Sequence, residues 1–232
     1  MKSKELLPLA VPAVRSFLFV AAGLGFATVS GLTLAQGAAY WPVLCVLVNL
    51  VTVAGLQVLC AGEKQTFRQL INPERQKTKP SQVLKLSLLM MLVGIGGMLG
   101  CSWVFYGGLP EFLAQSLPLP WAIVSLILLP LTIVFAELPL YYGYAYRKLS
   151  EEGRNPWFAG IYVIFWYGLQ HSFFPLLPDP KYMLFRFLAF MPLMIVILLM
   201  YRRSRNLVPL MVGHGIMDLG TGIQILIVSL AV

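Results

Sequence analysis

We expect four ionisable side chains to lie deep within long apolar stretches of this 232-residue chain: Glu137, His171, His214 and Asp218. The two histidines are the only ones in the sequence. A charged residue inside a bilayer costs roughly 2.5–3.5 kcal/mol on insertion scales, so it usually has a partner or a function. Two imidazoles and two carboxylates are sufficient to bind a metal ion or to activate a water molecule. These four residues are therefore the candidate site.

His214 and Asp218 are four residues apart in the run GHGIMDL. At helical spacing they share one face, one turn apart. Gly213 and Gly215 have no side chains to screen the imidazole, and they let a neighbouring helix approach. Either Asp218 orients a core histidine, or His214 faces a water or a metal with Asp218 as a second ligand or an orienting group. The spacing leaves both interpretations open.

Glu137 lies in the run FAELPLYYGYAYRKL, two residues before Pro139. This proline lacks a backbone donor and favours a kink. A glutamate in such a position can be a protonated structural residue, a proton relay or a general base. His171 lies in FWYGLQHSFFP. Considered alone, a histidine in such a run is more often a hydrogen-bonded core residue than a ligand. Gln170 beside it points away, because adjacent side chains on a helix diverge.

The composition is that of an integral membrane protein: 59% of residues are hydrophobic, 11% are charged, and the mean hydropathy is +0.80. Soluble domains carry about a quarter charged residues. We expect a single membrane domain over residues 1–232. The net charge of +8 is assigned to cytoplasmic loops and not to nucleic-acid binding. Cys45, Cys60 and Cys101 are odd in number and lack CxxC spacing, so we expect them to be small buried hydrophobic residues.

Seven apolar runs approach the roughly 20 residues that a membrane span requires. In lipid such runs must be helices, because a helix satisfies its own backbone groups. The first run is also longer than the core of a signal peptide, which favours a retained helix. The sequence thus predicts an all-α polytopic bundle of about seven spanning helices, with the candidate site in its core. The predicted spans are residues 12–35, 39–61, 83–107, 119–146, 157–176, 183–201 and 207–230.

Basic residues alternate between the loops of this prediction. They precede the first helix and recur in loops 62–82, 147–156 and 202–206, whereas the intervening loops contain only Lys181. Cytoplasmic loops of membrane proteins carry the excess of lysine and arginine. We therefore expect a multi-pass protein of the cell membrane with a cytoplasmic N-terminus and an external C-terminus. An additional or missing span would destroy the alternation.

Two further patterns concern how the helices pack. Gly96 and Gly100 form a small-xxx-small pattern, which is typical of a helix contact face. At 1.5 Å per residue, Glu137 and His214 lie roughly 15 Å and 13 Å from the nearest basic loop, so their depths agree. His171 lies roughly 22 Å beyond Pro156, which is too deep for a straight helix. A tilted or late-starting helix is needed to bring it to the same level.

In this order the three segments resemble the CPBP family, the CAAX prenyl endopeptidases and bacteriocin-processing proteins also called Abi proteins. The family's first motif is Glu-Glu-x-x-x-Arg, usually as EExxFRG, and Glu137–Gly143 matches it with Glu137 as the first glutamate. The second motif, Phe-x-x-x-His, corresponds to Tyr167–His171. The third, His-x-x-x-Asn/Asp, corresponds to His214–Asp218. The resemblance covers about residues 120–225.

The resemblance implies an intramembrane endopeptidase acting on membrane-associated, prenylated or otherwise hydrophobic peptides and proteins. Its partners would be such a substrate and the lipid bilayer, with no nucleic acid. By resemblance, Glu137 and His171 would activate a water for attack on a peptide carbonyl. His214 and Asp218 would stabilise the oxyanion or hold a metal.

A divalent metal, zinc above all, is one of two alternatives for this chemistry. His171, His214 and Asp218 are the candidate ligands of such a metalloprotease, since two histidines and a carboxylate form a plausible zinc set. A water activated by Glu137 without any metal requires no different residues. The sequence leaves the choice between zinc and no cofactor open.

Two positions depart from the first motif: Leu138 stands where its second glutamate is expected, and Tyr142 where its arginine is expected. Tyr167 in place of phenylalanine is a milder change. Loss of both charged residues fits replacement of one structural pair by apolar packing. It also fits an inactive member that acts as a membrane scaffold or immunity protein. A proton-coupled transporter is a third alternative, although the inverted repeats and paired broken helices typical of transporters are not evident.

Overall fold

The computed structural model describes residues 3–110, 115–151 and 155–231, and within these ranges the regular structure is entirely helical. A 3₁₀ turn (Ala38–Tyr40) precedes α3, and a π-helical segment (Pro139–Tyr146) follows α6. The predicted all-α class is thus confirmed. The α-helices are α1 (Ser3–Ser30), α2 (Leu34–Gly37), α3 (Trp41–Gly62), α4 (Phe67–Ile71), α5 (Pro80–Tyr106), α6 (Leu119–Leu138), α7 (Arg147–Glu151), α8 (Pro156–His171), α9 (Pro180–Ala189), α10 (Met191–Ser204) and α11 (Val208–Leu230).

Local sequence signals set most of these boundaries. All the long helices after α1 carry a proline in the first turn, where the missing N–H costs no helical hydrogen bond. Thr66 and Gln69 form a capping box at the start of α4. Asn155 and Asp179 accept backbone N–H groups at the starts of α8 and α9. Gly107 ends α5 in the left-handed conformation.

Among the described residues, six segments are long and apolar enough to cross a membrane: Leu6–Ser30, Leu34–Gly62, Pro80–Tyr106, Leu119–Glu151, Pro180–Ser204 and Val208–Leu230. The predicted span 157–176 does not reach that length. It forms α8 with 16 residues, or roughly 24 Å, and the chain turns immediately before Pro175. Because this proline cannot continue a helix, the apolar run is longer than the helix it forms.

Seven helical segments nevertheless alternate in direction through the bundle. In chain order they are α1, α3, α5, α6, α8, the α9–α10 pair and α11. Two contacts between the same two segments, at different heights in the bundle, show whether those segments run parallel or antiparallel. The first and last of the seven segments therefore run the same way, and the end of α11 lies at the opposite end of the bundle from the start of α1. The contacts are Leu9–Tyr162 and Phe19–Phe174 for α1 with α8, Arg15–Thr52 and Phe26–Tyr40 for α1 with α3, and Asn49–Thr132 and Gln65–Arg147 for α3 with α6. They are Glu137–His214 and Leu117–Ser229 for α6 with α11, Met90–Gly213 and Gly94–Met217 for α5 with α11, and Gly94–Leu193 and Gly97–Ala189 for α5 with the α9–α10 pair.

The interior of the bundle combines apolar side chains with buried tyrosines and polar groups, while its outer surface is apolar. Six buried tyrosines belong to the largest core cluster, and the rings of Tyr141 and Tyr167 stack 4.5 Å apart. Large hydrophobic side chains, among them Val58, Leu92 and Val104, are instead exposed on the outside. An apolar exterior is expected for a multi-pass membrane protein, whose outer surface faces lipid. The other buried tyrosines of the cluster are Tyr142, Tyr144, Tyr146 and Tyr201.

The glycine contact face of α5 differs from the one predicted. A Cβ added at Gly96 or Gly100 would meet no atom within 4 Å, so the predicted face is wrong within the described chain. At Gly97 an added Cβ would fall on the backbone carbonyl of Ala189, and at Gly94 it would meet Met217. The helices therefore approach closely at Gly94 and Gly97, because these two glycines are one turn apart on the inner face.

Two of the three cysteines, Cys45 and Cys60, are buried as the sequence predicts, whereas Cys101 is only partly buried. All three are unpaired. Cys45 packs with Phe19 and Phe174, and Cys60 lies in the largest core cluster. They act as small packing residues.

Candidate active site

The Glu137 carboxylate is the centre of the buried network, with 0% of the residue exposed at the end of α6. Its Oε1 accepts hydrogen bonds from Arg15 Nη2 at 3.2 Å and from Gln170 Nε2 at 2.7 Å. Its Oε2 accepts one from the Tyr167 hydroxyl at 2.8 Å and lies 3.1 Å from His214 Nε2. Four partners occupy the roughly four lone-pair positions of a carboxylate, so its orientation is fixed.

The π-helical segment that follows Glu137 places a tyrosine beside the same network. Pro139 cannot donate a backbone hydrogen bond, and the helix widens from there to Tyr146. Within this segment the Tyr141 hydroxyl donates to Gln170 Oε1 at 2.9 Å. Short π-helical segments occur frequently at functional sites. Here the segment connects the end of α6 to α8 through the amide of Gln170.

His214 and Asp218 face the network from α11, as their spacing predicts. His214 Nε2 lies 3.5 Å from Asp218 Oδ2 and 3.1 Å from Glu137 Oε2, so the imidazole sits between two carboxylates. His214 Nδ1 and Asp218 Oδ2 are buried and have no hydrogen-bond partner among the described residues. Buried polar atoms without partners are uncommon and occur at catalytic sites. Both interpretations of the pair, as orienting carboxylate and as reactive histidine, fit this arrangement.

The glycines around His214 serve the close packing that the sequence predicts. A Cβ at Gly213 would meet Ser87 and Met90 of α5 at 3.1 Å. A Cβ at Gly215 would meet Val134 of α6 at 2.7 Å. Because neither glycine has a side chain, α5 and α6 can both approach α11 at the level of the imidazole.

His171 is near the network but does not join it. Its Nδ1 is 2.8 Å from the carbonyl oxygen of Tyr167, so this nitrogen carries the proton and donates. The ring packs between Phe174 and Phe190, with centroids 5.0 Å and 4.4 Å away. Within the described chain no hydrogen bond joins it to the other three predicted residues. His171 lies one helical turn past Tyr167, which itself contacts Glu137. This agrees with the estimate from the sequence that His171 lies deeper along its helix than Glu137 and His214 do along theirs.

The predicted metal ligands do not come together. Among the described residues there is no group of three or more His, Cys, Asp or Glu side chains that could hold a metal ion. His214 and Asp218 are adjacent, but His171 hydrogen-bonds a backbone carbonyl and packs against aromatic rings. This arrangement does not fit a zinc site, and the chemistry proposed below uses protein groups alone.

The sequence interpretation missed the buried positive charge that pairs with Glu137. Arg15 is 1% exposed and forms an ion pair with Glu137. Arg186 is a further buried charge, and it donates to the carbonyl oxygens of His171 and Phe174. The count of four buried ionisable side chains is therefore wrong. The signal was present, because Arg15 already lies inside the predicted span 12–35, and α1 begins nine residues earlier still.

Leu138 and Tyr142, the two departures from the motif, lie in apolar surroundings. Leu138 is fully buried in the largest core cluster. The Tyr142 ring packs edge-on against Tyr167, and its hydroxyl donates to the carbonyl oxygen of Met194 at 2.9 Å. Neither side chain hydrogen-bonds Glu137. Packing and one hydrogen bond to the backbone occupy the places where the motif has a charged pair.

Replacement of Tyr167 by phenylalanine restores the residue of the second motif and removes one donor from Glu137 Oε2. A hydrogen bond to a charged group is worth about 1.5–3 kcal/mol, so we expect a lower unfolding temperature. Any catalytic activity of the site is expected to persist, because phenylalanine is the usual residue at this position of the second motif. Thermal unfolding and reaction rates measured on the same preparation check both results. Complete loss of activity in a folded Tyr167→Phe protein would show that the hydroxyl is catalytic.

The bundle is a polytopic membrane protein that encloses a buried arginine–glutamate–histidine network. Residues 119–220 match the family model described as Type II CAAX prenyl endopeptidase Rce1-like. The match contains all four predicted residues and confirms the resemblance to the CAAX prenyl endopeptidases. At the level of the family it supports a CAAX-type intramembrane endopeptidase. No curated protein and no solved structure matches the chain significantly.

Proposed function

We propose that the chain is an intramembrane endopeptidase that hydrolyses a peptide bond of a prenylated or otherwise hydrophobic membrane-associated substrate. The observation that carries the proposal is that His214 of α11 lies close to both the Glu137 carboxylate of α6 and the Asp218 carboxylate of its own helix. Glu137 Oε2 lies 3.1 Å from His214 Nε2, which lies 3.5 Å from Asp218 Oδ2. A buried carboxylate beside an oriented imidazole is suited to general-base catalysis. All three residues lie in the segment that matches the endopeptidase family.

In the proposed reaction Glu137 accepts a proton from water as the water oxygen attacks the peptide carbonyl carbon. His214, with its proton on Nε2, donates to the oxyanion of the tetrahedral intermediate, and Asp218 orients it. Collapse of the intermediate breaks the C–N bond, and Glu137 returns the proton to the leaving amine. Water must displace a donor from Oε2 for this to occur. Catalytic hydrogen bonds commonly reach their productive geometry only with substrate bound.

His171 enters the proposal as the second group that acts on the water. Its Nδ1 donates to the Tyr167 carbonyl, which leaves Nε2 as an acceptor. Tyr167 also donates to Glu137, so one residue orients both groups. The role of His171 in activating the water is supported mainly by the family resemblance.

The substrate is proposed to approach through an apolar groove on the outer surface at the level of His214, where Ser87 of the groove packs against Gly213. The groove has a volume of about 440 Å³ and lies between the start of α5 and α11. Val212 and Ile216 form one wall on the outer face of α11, whereas His214 between them in sequence points into the bundle. Lipid-facing apolar surface of this kind accommodates an acyl or isoprenoid chain, or a hydrophobic peptide segment. The lining residues are Thr78, Pro80, Val83, Leu84, Ser87, Val212 and Ile216.

Filling this groove is expected to weaken substrate binding without altering the chemical step. Val83→Trp adds a large ring to the groove, so KM for a hydrophobic peptide should rise while kcat stays close to that of the wild type. The matched control is Leu92→Trp, on the same helix but exposed and outside the groove. Equal effects of both substitutions on KM would contradict this route of entry.

A cleavage assay tests the proposed function directly. The purified protein in detergent is given prenylated CAAX peptides and unmodified hydrophobic peptides, and product masses identify the bond cut. We expect cleavage of at least one peptide class. A folded protein that cuts none of them contradicts the proposal and favours the second candidate.

The second candidate is an inactive family member that serves as a membrane scaffold or immunity protein. Its specific support is that protein donors fill every acceptor position of the Glu137 carboxylate. The apolar surroundings of Leu138 and Tyr142 add to it. Such a protein would retain its function when Glu137 is replaced by glutamine.

We further propose that the N-terminus is cytoplasmic and the C-terminus external. The ion pair of Lys148 with Glu63 and the contact of Arg147 with Gln65 place two basic loops at one end of the bundle. With native cysteines replaced, we expect Ala231→Cys to react with an impermeant thiol reagent on intact cells. Lys64→Cys should react only after permeabilisation. The reverse pattern would invert the proposed orientation.

A further inference from the structure

We propose that Arg15 replaces the arginine absent from the first motif and is the positioning residue for Glu137. It would hold the carboxylate so that Oε2 faces His214. The role rests on the proposed peptidase function. Arg15 lies outside the segment that matches the family model, so the family motif itself does not indicate it.

Four side chains from three other helices, α3, α6 and α8, fix the guanidinium of Arg15. Its Nε donates to Gln170 Oε1 at 2.8 Å and its Nη1 to the Thr52 hydroxyl. Its Nη2 donates to Asn49 Oδ1 at 2.7 Å and to Glu137 Oε1 at 3.2 Å. A planar guanidinium with several donors in one fork loses little freedom per hydrogen bond formed. The charge is therefore held at one place beside the carboxylate.

The residues at the motif positions cannot perform this task. Leu138 has no polar atoms, and the Tyr142 hydroxyl is directed to the carbonyl of Met194. Without Arg15, the only donor to Glu137 Oε1 among the described residues would be Gln170. Removing one partner of a buried ion pair leaves an uncompensated charge, which is strongly unfavourable. Arg15 thus supplies from α1 the positive charge that the π-helical segment lacks.

Fixing Oε1 determines which oxygen can react. Arg15 and Gln170 occupy Oε1, so Oε2 is the oxygen presented to His214 and to a substrate water. Misplacement of a catalytic group by about 1 Å can cost about 10²-fold in rate. Loss of Arg15 would leave the carboxylate free to rotate away from this geometry.

Kinetics of the Arg15→Gln protein on a peptide cut by the wild type test the proposal. We expect kcat to fall by about 10²-fold with KM little changed, because none of the described hydrogen-bond partners of Arg15 lines the groove. Arg15→Lys should give an intermediate kcat, since lysine keeps the charge but loses the fork. The matched control is Arg147→Gln: Arg147 is also buried, but it binds Gln65 and the carbonyl of Gln69. An Arg15→Gln kcat no lower than that of the control overturns the positioning role.

A double-mutant cycle on thermal unfolding tests the contact without any need for activity. Arg15→Gln and Glu137→Gln are measured singly and together, and we expect the combined shift to be smaller than the sum of the two. Additive shifts overturn the contact. Coupled shifts with wild-type kcat overturn the positioning role and leave the peptidase function standing. A wild-type protein that cuts no peptide overturns the function and the role of Arg15 in it, while the cycle still decides the contact.

Discussion

Replacing Glu137 with glutamine is expected to lower peptide hydrolysis by about 10²–10⁴-fold, the contribution typical of a general base. Glutamine has nearly the same shape, but it cannot accept and return the proton of the attacking water. The loss should appear in kcat, with KM close to that of the wild type, because Glu137 is buried away from the apolar groove. Steady-state cleavage of a prenylated or hydrophobic peptide measures both constants.

The same substitution also tests the buried network. The carbonyl oxygen of a glutamine can accept from Arg15 and Gln170, while its NH₂ group faces Tyr167 and His214. The protein should therefore fold, with a lower unfolding temperature. Glu63→Gln is the matched control, since its half-exposed pair with Lys148 is worth only about 0–1 kcal/mol. Robust cleavage by a folded Glu137→Gln protein would exclude the proposed mechanism.

Hydropathy and charge predicted the helical bundle because both are properties of the sequence itself. Six of the seven predicted spans are long apolar helices, and the alternation of basic loops corresponds to the alternating directions of the helices. Proline explains the differences. Pro175 follows the early end of α8, and Pro139 begins the π-helical segment. Pro192 lies in the first turn of α10, at the break between α9 and α10 where one straight span was predicted. Apolar runs do not detect such interruptions, since proline scarcely changes hydropathy.

The candidate site could be predicted only as far as local spacing reaches. His214 and Asp218 share a face because they lie one helical turn apart, and in the structure their side chains approach to 3.5 Å. Partners from other helices depend on packing, which spacing does not encode. Arg15 is 122 residues from Glu137 in sequence and reaches it only because α1 packs against the π-helical segment.

One pair of neighbours shows why the motif was only partly informative. Gln170 and His171 diverge, as adjacent residues on a helix must, so only one of them can point at Glu137. The motif favoured His171, whereas in the structure Gln170 donates to Glu137 at 2.7 Å. His171 instead hydrogen-bonds the backbone of its own helix. If His171 acts on a water, it must do so from the side of Tyr167 and not through contact with Glu137.

Replacing Gly97 with leucine is expected to prevent the bundle from folding, because the backbone of α9 lies directly against this glycine of α5. A Cβ at this position falls on the Ala189 carbonyl oxygen, and a backbone atom cannot move unless α9 moves. Overpacking a tight core typically costs 1–3 kcal/mol and occasionally more. Displacement of α9 would also move Arg186, which donates to the His171 carbonyl. The yield of monodisperse protein and its unfolding temperature in detergent measure the effect.

Gly96→Leu is the matched control, since it adds the same side chain one residue earlier on α5. An added Cβ there meets nothing within 4 Å, and leucine favours helix more than glycine does. This protein should therefore be obtained in wild-type yield with equal or higher stability. Equal losses for both substitutions would indicate that α5 tolerates no bulk on either face, and that the close contact with α9 is not the cause. Loss at Gly96 alone would place the packing face of α5 where the small-xxx-small pattern predicts it, on a partner other than α9.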